Sequence, residues 1–362
     1  MLPEIQLLYL HWIPKLKQMH KLFLITAITI FSLSCNEQTK NKKIKLDPKM
    51  EQIILHSAKS YFTPLKKVDL DKLTPKRKKM IELGKRLFYD KKLSNKQNVN
   101  CASCHDMEKY GTDNLPISPG DNNQFGTRNT PTVLNAHLQY AQFWDTHART
   151  VEEQAAGPIF GDFEMNMPDT ATLLNRLQND DYYSKAFEEL FPKSDTAITI
   201  QTITFAIGAF ERTLVTPAPI DDYLNGDLNA ISTKAKLGIK AFVDNGCIPC
   251  HSTSTVGGQM AQKFALYGYY WDYTDSKYID KGKFLATQDP SDKFVFKVPQ
   301  LRNVEKTYPY FHDGSVKSLR EATIIMGKAE TNITLKDEDV DNILEFFKTL
   351  TGKIPEHAFE NN

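Results

Sequence analysis

The sequence predicts a mainly α-helical protein made of two similar halves, and three observations predict it. The run Cys101-Ala102-Ser103-Cys104-His105 returns in altered form as Cys247-Ile248-Pro249-Cys250-His251. Each copy follows a glycine-containing apolar stripe of the same make, Leu83-Gly84-Lys85-Arg86-Leu87-Phe88 before the first and Leu237-Gly238-Ile239-Lys240-Ala241-Phe242 before the second. Each is answered by a later helix: Ile200, Ile203, Ile207, Phe210 and Leu214 recur at helical spacing, as do Val340, Ile343, Leu344, Phe347 and Leu350. With 362 residues, 41% hydrophobic and 25% charged, the chain can bury two ordinary cores. A net charge of +1 gives no reason to expect nucleic acid as a partner.

Taken in order, Met19-His20-Lys21 precedes an apolar run from Leu22 to Ser34, too short to span a bilayer but right for the core of an export signal. Residues 1–35 are therefore expected to be a leader whose true start is Met19. Cys35, after small residues, is expected to carry a lipid, the only membrane attachment foreseen, although Ser32 stands where an aliphatic residue is commoner. Residues 36–48 are polar and lysine-rich and read as a flexible tether. Thr74-Pro75 supplies a cap and a first-turn proline for the helix through Gly84, and Ser232 can cap the helix through Gly238. A glycine inside a helix costs about 1 kcal/mol against alanine, so both glycines are expected where another helix crosses closely. Thr334-Leu335-Lys336-Asp337 resembles a capping box for the last helix. Thr216-Pro217-Ala218-Pro219, with Asn225-Gly226-Asp227, breaks helix and reads as the linker between the halves.

The Cys-x-x-Cys-His pattern has a specific chemical use. Two thiols one helical turn apart can each add to a haem vinyl group, which leaves the next imidazole beneath the iron. A redox dithiol has no need of the trailing histidine, and a zinc ribbon wants its cysteine pairs closer together. Cys101, Cys104, Cys247 and Cys250 are thus expected to hold two c-type haems, with His105 and His251 as proximal ligands. These four and Cys35 account for all 5 cysteines, so no pair is left for a disulfide.

Together with "GTDNLPISPG", "RNTPTVLNA", "QFWD", "EEQAAGPI", "FEMN", "VPQLRNV" and "TYPYFHDGS", the two motifs resemble the bacterial di-haem cytochrome c peroxidases from about Leu83 to Leu350. The methylamine-utilisation di-haem enzymes share the scaffold. The resemblance implies two cytochrome c-like domains, a peroxidatic one at 49–218 and an electron-transfer one at 219–362. It implies Met326 as the sixth ligand of the His251 haem; a thioether there raises the potential and closes the iron. It also implies Glu164 as the acid/base group above the His105 haem, Gln154 as an amide that orients peroxide, and Trp144 as a bridge between the haems. A calcium ion is implied on Asn129 and the backbone carbonyls of Thr307 and Pro309, oxygen ligands that suit a hard cation.

The chain departs from the family at two places. Asp121 stands where many members carry a histidine that closes the oxidised peroxidatic haem, and Thr146-His147 replaces a Gly-Arg pair. The simplest consequence is an iron open from the start; substitution of the missing ligand by His137 or His147 is the alternative. The resulting expectation is a periplasmic, lipid-anchored peroxidase, monomeric or homodimeric, that reduces H2O2 to water with electrons from a small c-type cytochrome or a cupredoxin. A non-catalytic di-haem electron carrier is the competing reading, against which Glu164 and Gln154 speak. A di-haem oxidase that modifies a partner protein is the third, and Met326 speaks against it because those relatives have tyrosine there.

Overall fold

In the computed structural model, which describes residues 46–192 and 196–360, the chain enters its first helix at Asp47. The Asp47 carboxylate accepts the amides of Lys49 and Met50, and α1 runs Pro48–Tyr61. Thr74 caps α2 (Pro75–Tyr89) through the Arg77 amide, as its Thr-Pro pair foretells. The first cysteine pair forms the single turn α3 (Cys101–Cys104), and α4 (Val151–Phe160), α5 (Thr170–Gln178) and α6 (Asp181–Leu190) follow. Thr199 and Thr202 make a reciprocal capping box for α7 (Ile200–Glu211). Beyond it come α8 (Pro219–Asn225), α9 (Thr233–Asp244, capped by Ser232), the antiparallel strand pair β1 (Ala261–Lys263) and β2 (Val295–Lys297), α10 (Leu319–Thr331) and α11 (Asp337–Lys348).

Both helical glycines sit at helix crossings. A Cβ on Gly84 would lie 1.8 Å from the Ala206 carbonyl oxygen of α7, and one on Gly238 would lie 1.9 Å from that of Asn342 on α11. One turn along each crossing an edge-on aromatic pair closes the contact: Phe88 with Phe210 at 5.4 Å and Phe242 with Phe346 at 5.5 Å. Such pairs add about 0.5–1.5 kcal/mol beyond the area they bury. The repeat read from the sequence is thus a repeat of one packing unit.

Two cores result, and they exchange their ends. The first gathers α2, α4 to α7 and, from the far C-terminus, Ile354 and Ala358, where the Tyr89 hydroxyl donates to the Ala358 carbonyl. The second gathers α8, α9 and α11 with Ile54, Leu55 and Ala58 of α1. Residues 216–227 differ from a solvated linker. Thr216 and Ile220 are buried, α8 lies within the segment, and Gly226 ends that helix at a φ of 114° that only glycine adopts easily. Asp221 explains the burial: it pairs bidentately with buried Arg302 (2.6 and 2.7 Å) and accepts the Leu65 and Ala218 amides. Thr334 does not cap the last helix. Lys336 stands at the cap without a side-chain bond, and three acidic residues, Asp337, Glu338 and Asp339, supply the negative charge that a helix start favours. The expected leader, Cys35 and nearly all of the tether lie outside the described residues. Among the described residues no helix is long and apolar enough to cross a membrane.

Candidate functional site

The second Cys-x-x-Cys-His run follows α9 directly. His251 is half-buried, and its Nδ1 lies 3.3 Å from the Val256 carbonyl, which must therefore accept an N–H and leave Nε2 with its lone pair. Burial pushes its pKa down to about 4, so the imidazole is neutral, the form a metal needs. The loop that carries Val256 wraps the ring because Gly257 (φ 122°) has no Cβ; one there would lie 2.9 Å from Nδ1 and 2.3 Å from the Pro299 carbonyl. His251, Cys247, Cys250 and Met326 of α10 line one apolar cavity of about 370 Å³, with Phe242 and Phe347 as walls. Two thiols, a neutral imidazole and a thioether around one apolar space fit a haem with axial His and Met.

The first run is organised alike. Asn100 and Ser103 cap α3 reciprocally, and His105 Nδ1 lies 3.1 Å from the Gly111 carbonyl. Burial lowers the His105 pKa and pushes the Cys104 thiol up to about 11, so none of these groups carries charge as it stands. Met326 has no counterpart here. While Glu211 acts more strongly on Cys101 and Asp113 more strongly on Cys104, Glu164 is within electrostatic reach of both cysteines. The turn 161–166 after α4 holds it, with the Glu164 amide on the Gly161 carbonyl (3.0 Å) and the carboxyl folded against Gly161. The residue as a whole is exposed but its carboxyl is crowded by protein, which raises its pKa; His147 nearby partly offsets this. Gln154 lies half-buried on α4, the helix that leads into this turn.

Asp121 borders the same turn, since its amide donates to the Glu164 carbonyl (2.7 Å). Its carboxylate, 1% exposed, accepts the Lys96 amide at 3.1 and 3.2 Å, so it serves to join two loops. His147 stacks on Phe143 at 3.9 Å and bonds to Asp145. His137 lies beside the Arg212–Glu152 pair with its Nδ1 buried and unpartnered, and burial, helped by Arg212, lowers its pKa to about 4.

Residues from distant segments make one wall of the His251 cavity. The Trp144 indole donates to the Asn129 carbonyl (2.9 Å), the Asn129 amide donates to the His312 carbonyl (2.7 Å), and the rings of Trp144 and His312 meet edge-on at 6.4 Å. Arg128 crosses from Asp280 (2.6 and 3.1 Å) to Asp145 (2.5 Å). Burial alone would raise the Asp145 pKa, but His147 and Arg128 more than offset that and bring it down to about 2. Asn129, Thr307 and Pro309 line the same cavity as His251, and the Asn129 side-chain N–H donates to the Leu115 carbonyl, which leaves its amide oxygen as an acceptor. Among the described residues no cluster of three or more His, Cys, Asp or Glu could hold a metal ion, so a cation here would rest on amide and carbonyl oxygens.

Arg128, Asp280, His312 and Lys297 escaped the sequence reading. A second internal repeat could have found His312, though not the other three: Pro131 to Ala148 matches Pro299 to Val316, so that Asn135 pairs with Asn303, Phe143 with Phe311 and Trp144 with His312. The structure repeats it too, with left-handed Asn135 and Asn303 (φ 59° and 63°) both joined to Thr216.

Two Cys-x-x-Cys-His sites on repeated helix crossings define a two-centre helical redox protein. Residues 78–229 match the family described as di-haem cytochrome c peroxidase. The chain is 42% identical over 279 residues to cytochrome c551 peroxidase of Pseudomonas aeruginosa, covering 76% of this chain and 79% of that one. It is 40% identical to cytochrome c551 peroxidase of Nitrosomonas europaea, over 78% of this chain and 83% of that one. Among solved structures it superimposes on a MauG-like protein associated with microbial copper homeostasis with a TM-score of 0.71 and 28% identity, over 82% of this chain and 96% of that one. The chain belongs to the di-haem cytochrome c peroxidase family, which implies two c-type haems.

Proposed function

We propose that this protein is an exported peroxidase that reduces H2O2 to water with electrons taken one at a time from a small c-type cytochrome or a cupredoxin. The observation that carries the reading is the inequality of the two sites: one shares its cavity with a thioether, Met326, and the other has a carboxyl group, Glu164, within electrostatic reach of both its cysteines. Reduction of H2O2 to two waters consumes two electrons and two protons, whereas the donors deliver single electrons, so one site stores what the other uses. The haems, attached at Cys101/Cys104 and Cys247/Cys250, supply the electron transfer and the O–O cleavage.

The chain's own residues do the rest. Glu164 accepts a proton from the oxygen of H2O2 nearest the His105 side and returns it to the departing oxygen, which then leaves as water. Its raised pKa brings it nearer the working pH, where a shuttle is most effective. Gln154 donates its amide N–H to the peroxide and fixes its angle. Trp144, inside the wall, shortens the electron path between the sites. Met326 closes the electron-receiving site to peroxide, and a calcium ion on Asn129, Thr307 and Pro309 braces the two halves. Residues 49–218 form the peroxidatic half and 219–362 the electron-transfer half. The leader 1–35 directs the chain to the periplasm with a lipid on Cys35, and a homodimer is compatible with this arrangement. Steady-state consumption of H2O2 with a reduced c-type cytochrome, in protein matured with both haems, tests the reading. Rapid electron exchange with the cytochrome but no peroxide-dependent turnover would assign the chain as a carrier.

A further inference from the structure

Lys297 is an ammonium group in the wrong place for a surface residue. It ends β2, is 4% exposed, and lines the cavity that holds His251 and Met326. Its backbone amide donates to the Trp144 carbonyl (2.7 Å) and its Nζ to the Ala141 carbonyl (3.1 Å), so one residue of the second half fastens the Trp144 loop of the first. No carboxylate among the described residues pairs with it. A buried ammonium held by one neutral carbonyl is costly to keep charged.

Among the groups around the cavity, Glu330 of α10 is the rival proton site, since burial raises its carboxyl pKa to about 7, and substitution of Lys297 alone separates the two. On the loop it fastens, Asp145 is already shared between Arg128 and His147, and Asp280 is taken by Arg128. Lys263, on the paired strand, is exposed and solvated. His312, stacked on Phe296 beside it, has its pKa lowered by burial and stays neutral. Lys297 is an interior cation without a carboxylate partner among the described residues: burial lowers its pKa to about 7, with Asp145 pulling the other way.

We propose that Lys297 is the proton site coupled to reduction of the His251 centre: arrival of an electron beside the wall is balanced by uptake of one proton on the Lys297 amine. The inference rests on the reading that His251 holds a haem in this cavity. The balance is one electron from the donor and one proton from solvent, which convert ferric haem with neutral lysine into ferrous haem with ammonium. Between the lysine pKa values of the oxidised and reduced states, reduction becomes tenfold less favourable per pH unit, or about 59 mV for one electron. Electron delivery would thereby be tuned by pH around neutrality, and the cation would stand next to Trp144, where the electron passes on.

The test is a spectroelectrochemical titration of the holoprotein, monitored at the His251 haem between about pH 5.5 and 9. The expected wild-type midpoint falls with rising pH at a slope approaching tenfold in the reduction constant per unit. Lys297→Met, with no proton to exchange, and Lys297→Arg, charged throughout, are both expected to flatten that slope, the arginine variant at the higher potential. Should Lys297→Met fail to fold, Lys297→Arg carries the test alone. A wild-type slope retained in Lys297→Arg, or a flat wild-type titration with the haem in place, overturns the proposal and leaves the peroxidase reading standing. Absence of a haem signal at His251 overturns the functional reading, and the proposal with it.

Discussion

Gly161→Ala is expected to disable the protein without unfolding it. Gly161 follows α4 at φ −66° and ψ 124°, a conformation open to any residue, so alanine strains nothing and, by restricting the unfolded chain, stabilises by about 0.4–1 kcal/mol. The added Cβ, however, would stand 2.4 Å from a Glu164 carboxyl oxygen. Ordinary heavy-atom contact lies near 3.5 Å, so the carboxyl must retreat by about 1 Å. A displacement of that size costs on the order of 10²-fold in rate, or about 2.7 kcal/mol in barrier. Steady-state turnover of H2O2 is the assay, with thermal denaturation and haem content alongside. Glu164→Gln should lose about 10²- to 10⁴-fold, and the double variant should lose no more than Glu164→Gln alone, because both changes remove the same proton shuttle. The pH profile adds a second arm. The carboxylate is the active form and its pKa is raised above the ordinary 4.5, so turnover should fall as pH drops through that raised value, and this limb should vanish in Glu164→Gln. Gly161→Ala turnover within about twofold of wild type would refute the reasoning.

Met326→Ala is expected to lower the potential of the His251 haem and let CO or cyanide bind there; an unchanged redox titration would make Met326 a core residue only. Because the Asp121 carboxylate is held by the Lys96 amide, the fully oxidised protein should bind H2O2 on stopped-flow mixing and turn over without a lag. A lag removed only by pre-reduction would show that another residue, His137 or His147, closes the iron. Gly84→Ala and Gly238→Ala each drive a Cβ to within 2 Å of a backbone carbonyl that cannot move alone, and should cost about 1–3 kcal/mol or more by denaturant titration.

Much of this was legible because each signal was local. A cysteine pair with its histidine, a glycine within an apolar stripe and a Thr-Pro helix start all occupy a few consecutive residues, and Gly84 and Gly238 met the crossing helices they foretold. What escaped was assembled from distant segments. Arg128 gains its meaning from Asp280, 152 residues away, and Lys297 from Ala141, 156 residues away. Neither partner has a sequence pattern of its own. The buried segment 216–227 misled for a related reason: its prolines and Asn-Gly pair mark the turns faithfully, but burial comes from Arg302. Likewise Asp121 shows as a departure in sequence, while its bond to Lys96 shows only in three dimensions.

Cooperation of two unequal haem sites in peroxide reduction has a signature within one turnover. Single-turnover mixing tests it most directly: protein with only the His251 haem reduced, the His105 haem left oxidised, is mixed with one equivalent of H2O2 and both haem spectra are followed. The His251 haem is expected to be oxidised while one equivalent of H2O2 disappears, the second electron being drawn from the His105 haem, and Glu164→Gln should slow both changes together. Oxidation of the His251 haem at an undiminished rate in Glu164→Gln, or no oxidation at all in the wild type, would contradict such cooperation.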